Sequence, residues 1–376
     1  MPNVITSLMP SLYRSARKVP AEFTAFMGAA SRNFDDAGVP KGGSVKVPVV
    51  PTATAAAAPA PSMTFAAGTD RTISTVDFTL NQEAQVSWNL TAEDERQLLL
   101  GGNSEEVLAQ TLDQGFRSLR NQMEAYLGTV AKNNASRAIG TAGTTPFASD
   151  SALLVDARKI LVDNGYNGNI SAIINSSAEA NLLKLTEIKN SAAIGDASAI
   201  REGRIGRLYG IDIAASAAVA VHTKGTGTVY LVNSTSLAVG STTIPADTGT
   251  GTIIAGDVVA FAGDANKYVV KTALAGGSFV IQEPGLLTAV ADNSAITVEN
   301  TSTDNIAMGS DALMLVARPS LQPVGGGVEQ AIITDPVTRF STLFLRVVGS
   351  AMTSWYMRTV YDAFAPNPYQ IVKLRG

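Results

Sequence analysis

The chain contains no cysteine and one histidine, His222, in 376 residues. The first absence excludes disulfides, thiolate metal sites and cysteine nucleophiles, and it leaves the redox compartment open. The second removes most histidine-based metal and acid–base arrangements. Charge is also scarce: 28 Lys plus Arg stand against 32 Asp plus Glu, a net charge of −4, and charged residues make up 16% of the chain. That density is low for a soluble monomer and implies that partners cover much of the surface. Apart from Arg14, Arg17 and Lys18, Lys and Arg do not cluster as phosphate contacts require, so nucleic-acid recognition is not the main task. No run of about 18 apolar residues could span a bilayer, and the N-terminus lacks the apolar region of a signal peptide. The expectation is a soluble intracellular product with no membrane partner, long enough for two or three domains.

What is present is one long periodic stretch, Ser104 to Ser136. Leu108, Leu112, Phe116, Leu119, Met123, Tyr126, Leu127 and Val130 recur every three or four residues and form one helical stripe. Ser104 is placed to cap the first amides, with Glu105 and Glu106 where the helix dipole favours acids. At 1.5 Å per residue the helix would be roughly 50 Å long. Side chains worth about 1.5 to 3 kcal/mol each on burial are too many to leave wet, so a sheet or another subunit must cover the stripe.

Residues 1–38 carry an amphipathic segment, ITSLMPSLYRSARKVP, then a shorter one from Ala21 to Phe34. Pro10 and Pro20 break them into pieces too short for a domain, which predicts an N-terminal arm. Residues 39–90 predict a two-stranded excursion. Val45, Val47 and Val49 alternate with Lys46 and Pro48, and a strand carrying proline belongs at an edge. Residues 51–75 are rich in Ala, Thr and Pro and cannot bury themselves, so they form a mobile tip. Val76, Phe78 and Leu80, then Val86, Trp88 and Leu90, alternate as the returning strand. An isolated ribbon is marginal in water, so this one must gain order by lying on something else. Phe78 and Trp88 are therefore candidate contacts to another subunit or a scaffold, Trp88 as an anchor.

Thr91-Ala-Glu-Asp predicts a capped helix to Leu100, stopped by Gly101 and Gly102. After a loop from Gly140 to Ser149, Asp150 caps a helix with Leu153, Leu154, Ala157, Ile160 and Leu161, and Gly165 closes it. Ile170 to Asn175 is a buried strand, SAEANLLKLTEI a helix, and residues 189–200 a mobile loop. Tyr209 to Ala214 follows a tight turn as a strand. From Thr223 to Ser302 the texture changes to Thr, Val, Gly and Ala. Strands at Thr228 to Val232, Asp257 to Ala262, Tyr268 to Thr272, Phe279 to Gln282 and Ala295 to Glu299 predict a small barrel or sandwich, inserted as residues 223–303. Ala312 to Ala317, the alternations Leu343/Leu345/Val347 and Trp355/Met357/Thr359/Tyr361, and Gln370 to Leu374 complete an α+β chain. The long helix is expected to pack against the strands at 343–347 and 355–361.

This order of elements resembles the major capsid (coat) proteins of tailed bacteriophages, of the Hong-Kong-97-type fold. Within that group it is most similar to coat proteins of short-tailed phages that carry an inserted β-barrel domain. The residues that carry the resemblance are Ser104 to Ser136 after the excursion, REGRIGRLYGIDIAAS leading into the β-rich insertion, and the closing WYMRTVYDAFAPNPYQIVKL. The resemblance implies that residues 39–90 are the extended loop lying on a neighbour and that residues 91–139 form a peripheral domain around the spine helix. It implies axial-domain parts at 140–222 and 304–376, the latter also supplying the peripheral domain's C-terminal strands. Also implied are a virion capsid assembled in the host cytoplasm from hexamers and pentamers, a separate scaffolding protein, a portal protein, packaged double-stranded DNA held non-specifically, and no cofactor. The rival expectation is an extracellular β-rich adhesin or surface-layer protein.

No stretch carries strong chemistry. Gly203, Gly206 and Gly210 are spaced GxxGxxxG, and no GxxxxGK[ST] accompanies them, so turns and not a phosphate loop are expected. His222 has no GxSxG elbow and is expected to be a solvated linker residue. Glu93 to Glu95 and Glu105 to Glu106 sit at helix starts, where capping explains acids. Arg14, Arg17 and Lys18 are candidates to touch packaged DNA or an acidic partner, against a solvated helix face. No catalytic, cofactor-binding or metal-binding residue is expected.

Overall fold

A computed structural model describes residues 24–33, 41–49, 74–100, 104–189, 202–203, 205–321, 328–335, 338–349 and 351–376. Arg14, Arg17, Lys18, the excursion tip at residues 51–73 and the loop at residues 190–201 lie outside them.

Apolar alternation in the C-terminal third builds one sheet. β1 (Ser31–Asn33), β19 (Met314–Pro319), β22 (Met352–Phe364), β21 (Ser341–Val348) and β20 (Val328–Thr334) follow in that order, and β4 (Gln82–Thr91) pairs with the other edge of β22. Across one face lies the long helix α3 (Ser104–Asn133), about 45 Å at the usual rise. Its stripe residues Leu112, Phe116, Leu119, Met123 and Leu127 are buried in one cluster with Ala84, Phe344, Trp355, Met357 and Tyr361. Tyr126 and Val130 pack at its margin. The expected pairing of helix and sheet is present with one difference. On β21 the cluster takes Phe344, and the alternating Leu343 and Leu345 are buried but not part of it, because neighbouring side chains of a strand point to opposite faces. Two glycines let the helix approach this closely. A Cβ on Gly115 would meet Met357 Sδ at 2.8 Å, and one on Gly128 would meet the Ala218 carbonyl oxygen at 2.8 Å and the Phe26 ring at 3.2 Å.

The helix ends at Asn133, short of the expected Ser136. Ser136 donates its N–H and hydroxyl to the Ile371 carbonyl, turning the chain into β5 (Arg137–Gly140), a strand that the sequence reading missed. The returning arm of the excursion is likewise two strands. β3 (Ser74–Thr79) pairs with β2 (Ser44–Val49) in register Val45↔Phe78, and after Leu80 and Asn81 the chain enters the six-stranded sheet as β4. Pro48 sits on the two-stranded ribbon, where β2 has β3 as its only partner among the described residues.

A second sheet runs β5, β23 (Ile371–Arg375), β18 (Ser302–Gly309), β6 (Ile170–Ile174), β8 (Ile211–Ala215) and β7 (Arg207–Leu208), with β9 (Val221–His222) on the start of β18. Helices α4 (Ala152–Asp163), α5 (Ser176–Lys184) and α6 (Thr186–Lys189) supply Leu154, Ala157, Leu161, Leu182 and Ile188 to its core. Asp150 accepts the Ala152 N–H and Asn175 caps α5. SAEANLLKLTEI is split at the extended Leu185.

Between β9 and β18, β10 (Tyr230–Val232), β12 (Thr243–Asp247), β15 (Ser278–Ile281), β14 (Lys267–Ala275), β13 (Val258–Phe261) and β17 (Ala295–Val298) pair antiparallel in that order, and β17 returns to β10. The ring is a closed barrel around Tyr230, Ile244, Phe261, Tyr268, Phe279, Ile281 and Ile296. A short pair, β11 (Ser236–Leu237) and β16 (Val290–Ala291), belongs to the same stretch. β14 also pairs with β5, in register Tyr268↔Arg137, which seats the barrel on the second sheet. The first helix, α1 (Ala25–Ala29), and α2 (Ala92–Leu100) lie at the two ends of the excursion in sequence. Thr91 and Asp94 cap α2 reciprocally: the Asp94 N–H donates to Thr91 Oγ1 at 3.2 Å, and Thr91 Oγ1–H donates to the Asp94 carboxylate at 2.7 Å.

Candidate functional site

The buried polar groups fall into two sets that join distant parts of the chain. The first lies along α3. Arg120 and Glu124 follow Phe116 at steps of four, so they share the face that meets the sheet. Arg120 grips Asp335 with two bonds, Nε to Oδ2 at 2.7 Å and Nη2 to Oδ1 at 2.6 Å, both side chains being buried. Asp335 also accepts from the Thr338 hydroxyl, so the pair holds the turn between β20 and β21. Glu124, 4% exposed, accepts the Phe26 and Met27 N–H groups at 2.8 and 2.9 Å and the Ser216 hydroxyl at 3.1 Å. Burial lifts its carboxyl above the usual range, although those three donors pull the other way. Asp362 accepts the Tyr126 hydroxyl at 2.6 Å and the Asn81 N–H at 3.0 Å, tying helix, β22 and the corner before β4.

The second set lies under the barrel. Lys373 is fully buried; its Nζ donates to the Gly256 carbonyl at 2.7 Å and pairs with Asp304 at 3.0 Å. Burial pulls the Lys373 amine down to about 8 even with Asp304 opposing. Arg375 donates to Ser302, Glu299 and the Asn300 carbonyl, and Gln282 donates to the Asn133 carbonyl at the end of α3. His222 is not solvated, contrary to expectation. Its Nε2 is 2.8 Å from Asp257 Oδ1, and because a carboxylate only accepts, the ring donates. Asp257 also accepts the Gly225 and Ile254 N–H groups. The reason is topological: His222 pairs across β9 with Ser302, at the foot of the barrel, and is enclosed by it.

These arrangements tie distant segments of the chain together. Among the described residues no hydroxyl bonds to the free side of His222, no group of acids and histidines is placed to hold a metal, and no helix is long and apolar enough to cross a membrane. Of the residues proposed from sequence, Arg14, Arg17 and Lys18 lie outside the described residues. Phe78 is buried, its ring 4.6 Å from that of Phe364. Trp88 is half-buried and stacks on Trp355 at 6.4 Å, so both aromatic candidates pack within their own chain and only the exposed part of Trp88 is left for a neighbour. Arg120, Glu124, Asp335, Asp304 and Lys373 were missed. A helical wheel flags the first two, because each sits a multiple of four from Phe116, whereas the long-range partners leave no sequence signal.

What the described residues leave open are edges. Among the described residues β20 has one strand partner, with Ile332 exposed, and the β2–β3 ribbon has no third strand. No family model matches the sequence, and no curated protein matches it. The fold is similar to a solved structure of Mycobacterium phage Che8, at a TM-score of 0.50 and 15% identity, over 93% of this chain and 90% of that one. More distant are the mature capsid of bacteriophage PhiM1, at 0.47 and 11% identity over 95% and 87%, and a virus-like particle from Pyrococcus furiosus, at 0.45 and 10% identity over 98% of each. At these identities the likeness speaks to the fold alone.

Proposed function

We propose that the chain is a structural, non-enzymatic major capsid protein of a tailed bacteriophage, many copies of which close into an icosahedral shell around double-stranded DNA. The observation that carries this reading is a long helix bound beneath a sheet whose edge strand β20 and whose β2–β3 ribbon have no further strand partner among the described residues. An unpaired ribbon is marginal in water and an unpaired edge is a template for another chain, so such a subunit is completed by copies of itself. Head-to-tail contacts around a ring do this, and a reaching loop multiplies the buried area. The likeness to a phage structure supports the same reading. In it, residues 39–90 lie on a neighbour, residues 91–139 with the C-terminal strands form the peripheral domain, residues 140–222 and 304–376 the axial domain, and residues 223–303 an inserted domain. Assembly takes place in the host cytoplasm with a scaffolding and a portal protein. Electron microscopy of the protein expressed with its scaffold tests the proposal: closed shells are expected, and a stable monomer with no shells under any condition would overturn it.

A further inference from the structure

The chain holds two Asn-Gly pairs, Asn164-Gly165 and Asn167-Gly168, and both fall in the turn between α4 and β6. In such a pair the carbonyl carbon of the asparagine side chain lies within reach of the next residue's amide nitrogen, and glycine puts no side chain in the way. The fold treats the two pairs in opposite ways.

Asn164 is held on every side. It caps the end of α4, its N–H donating to the Ile160 carbonyl at 3.0 Å. Its Oδ1 accepts from Arg137 Nη2 at 2.9 Å, and its Nδ2 donates to the Tyr369 carbonyl at 2.5 Å. Gly165 follows at φ +85°. Its N–H donates to the Val162 carbonyl at 2.8 Å and that of Tyr166 to the Leu161 carbonyl at 3.0 Å, the two bonds that close a helix on a left-handed glycine. The nitrogen that would attack Asn164 is thus engaged, and the side chain it would attack is pinned at both polar atoms.

Asn167 and Gly168 are exposed. Among the described residues neither the Asn167 side chain nor the Gly168 N–H makes a hydrogen bond. The arch they form is closed by Tyr166, whose hydroxyl donates to the Asn169 carbonyl at 2.7 Å and accepts the Ser310 N–H at 3.0 Å. A Cβ on Gly168 would meet that hydroxyl at 2.5 Å. Packing on Tyr166 therefore requires glycine after Asn167, and the same glycine leaves the nitrogen open to react.

We infer that Asn167 is a site of spontaneous conversion to aspartate and isoaspartate, and that the bonds around Asn164 spare it. The Gly168 nitrogen bonds to the carbonyl carbon of the Asn167 side chain, and its proton leaves with the side-chain nitrogen as ammonia. Water then opens the cyclic imide at either carbonyl, so the backbone continues through the α- or the β-carboxyl. Asparagine and water become acid and ammonia, with no other reactant. The product adds one negative charge to a chain whose net charge is −4.

The test holds the full chain at mildly alkaline pH in heavy-oxygen water, folded and in urea, and follows the peptide that spans the turn by mass spectrometry. In the fold Asn167 is expected to convert about tenfold or more faster than Asn164, because a bonded group reacts only when its region opens. In urea the two rates should come within about twofold of each other, since the bonds that tell them apart are gone. Equal rates in the fold, or a faster Asn164, would overturn the inference. A difference that persists undiminished in urea overturns it as well, because its cause would then be local sequence and not the fold.

Discussion

The barrel and the α3 layer bury apolar residues in equal earnest, but they finish differently. In the barrel each of the six strands has two neighbours, so no backbone edge is left and the core from Tyr230 to Val298 is complete within the chain. In the α3 layer the apolar stripe is covered, yet β20 and the β2–β3 ribbon have no further strand neighbour among the described residues, and the layer is held by long-range polar contacts such as Arg120–Asp335 and Glu124 to Phe26. Closure leaves a module complete in its own strands, whereas the open sheet leaves edges for the copies of the proposed shell to fill.

The contrast breaks most visibly by excision. Residues 223–303 expressed alone should give a β spectrum and a cooperative melt, while residues 91–139 alone, with the stripe of α3 bare, should stay unfolded or aggregate. A disordered barrel fragment would mean that closure depends on its seat at β5. The next largest effect is expected at that seat. K373M strands Asp304 as an uncompensated buried charge and should cost about 3 to 5 kcal/mol in the chemical denaturation of the body, and K373M/D304N should recover most of it.

The same pair gives a pH signature. With the Lys373 amine near 8 in the fold against an ordinary 10.5, the unfolded chain binds the extra proton between those values. The penalty of the buried charge is therefore complete below pH 8 and is relieved as pH rises toward 10.5. Wild type should gain stability relative to K373M/D304N over that window, and parallel curves would remove Lys373 as the cause. Smallest is G128A on α3. Helix propensity favours it by about 1 kcal/mol, but the added Cβ meets Ala218 and Phe26, so thermal melts should show a net loss of about 1 to 3 kcal/mol.

How much of this was legible in the sequence follows the range of the interactions. Periodicity revealed α3, because Leu112 to Leu127 repeat at helical spacing, and alternation revealed the barrel strands at 230–232, 258–261 and 295–298. The cap at Thr91 and Asp94 was legible because both partners are three residues apart. Strand β12, Thr243–Asp247, was missed because Pro245 and two polar ends hide the alternation, and β5 because four residues carry no period. His222 was misread as solvated since nothing local says that Asp257, 35 residues on, comes back to meet it at the foot of the barrel. The clamps on α3 were invisible for the same reason: Arg120 and Asp335 are 215 residues apart.

Hydrogen–deuterium exchange of free and assembled protein tests the central claim most directly. The account predicts that amides of β2, β3 and β20 exchange fast in free subunits and are protected in the particle, while those of the barrel from Tyr230 to Val298 exchange alike in both. Equal protection of the edges in both forms, or a gain confined to the barrel, would contradict it.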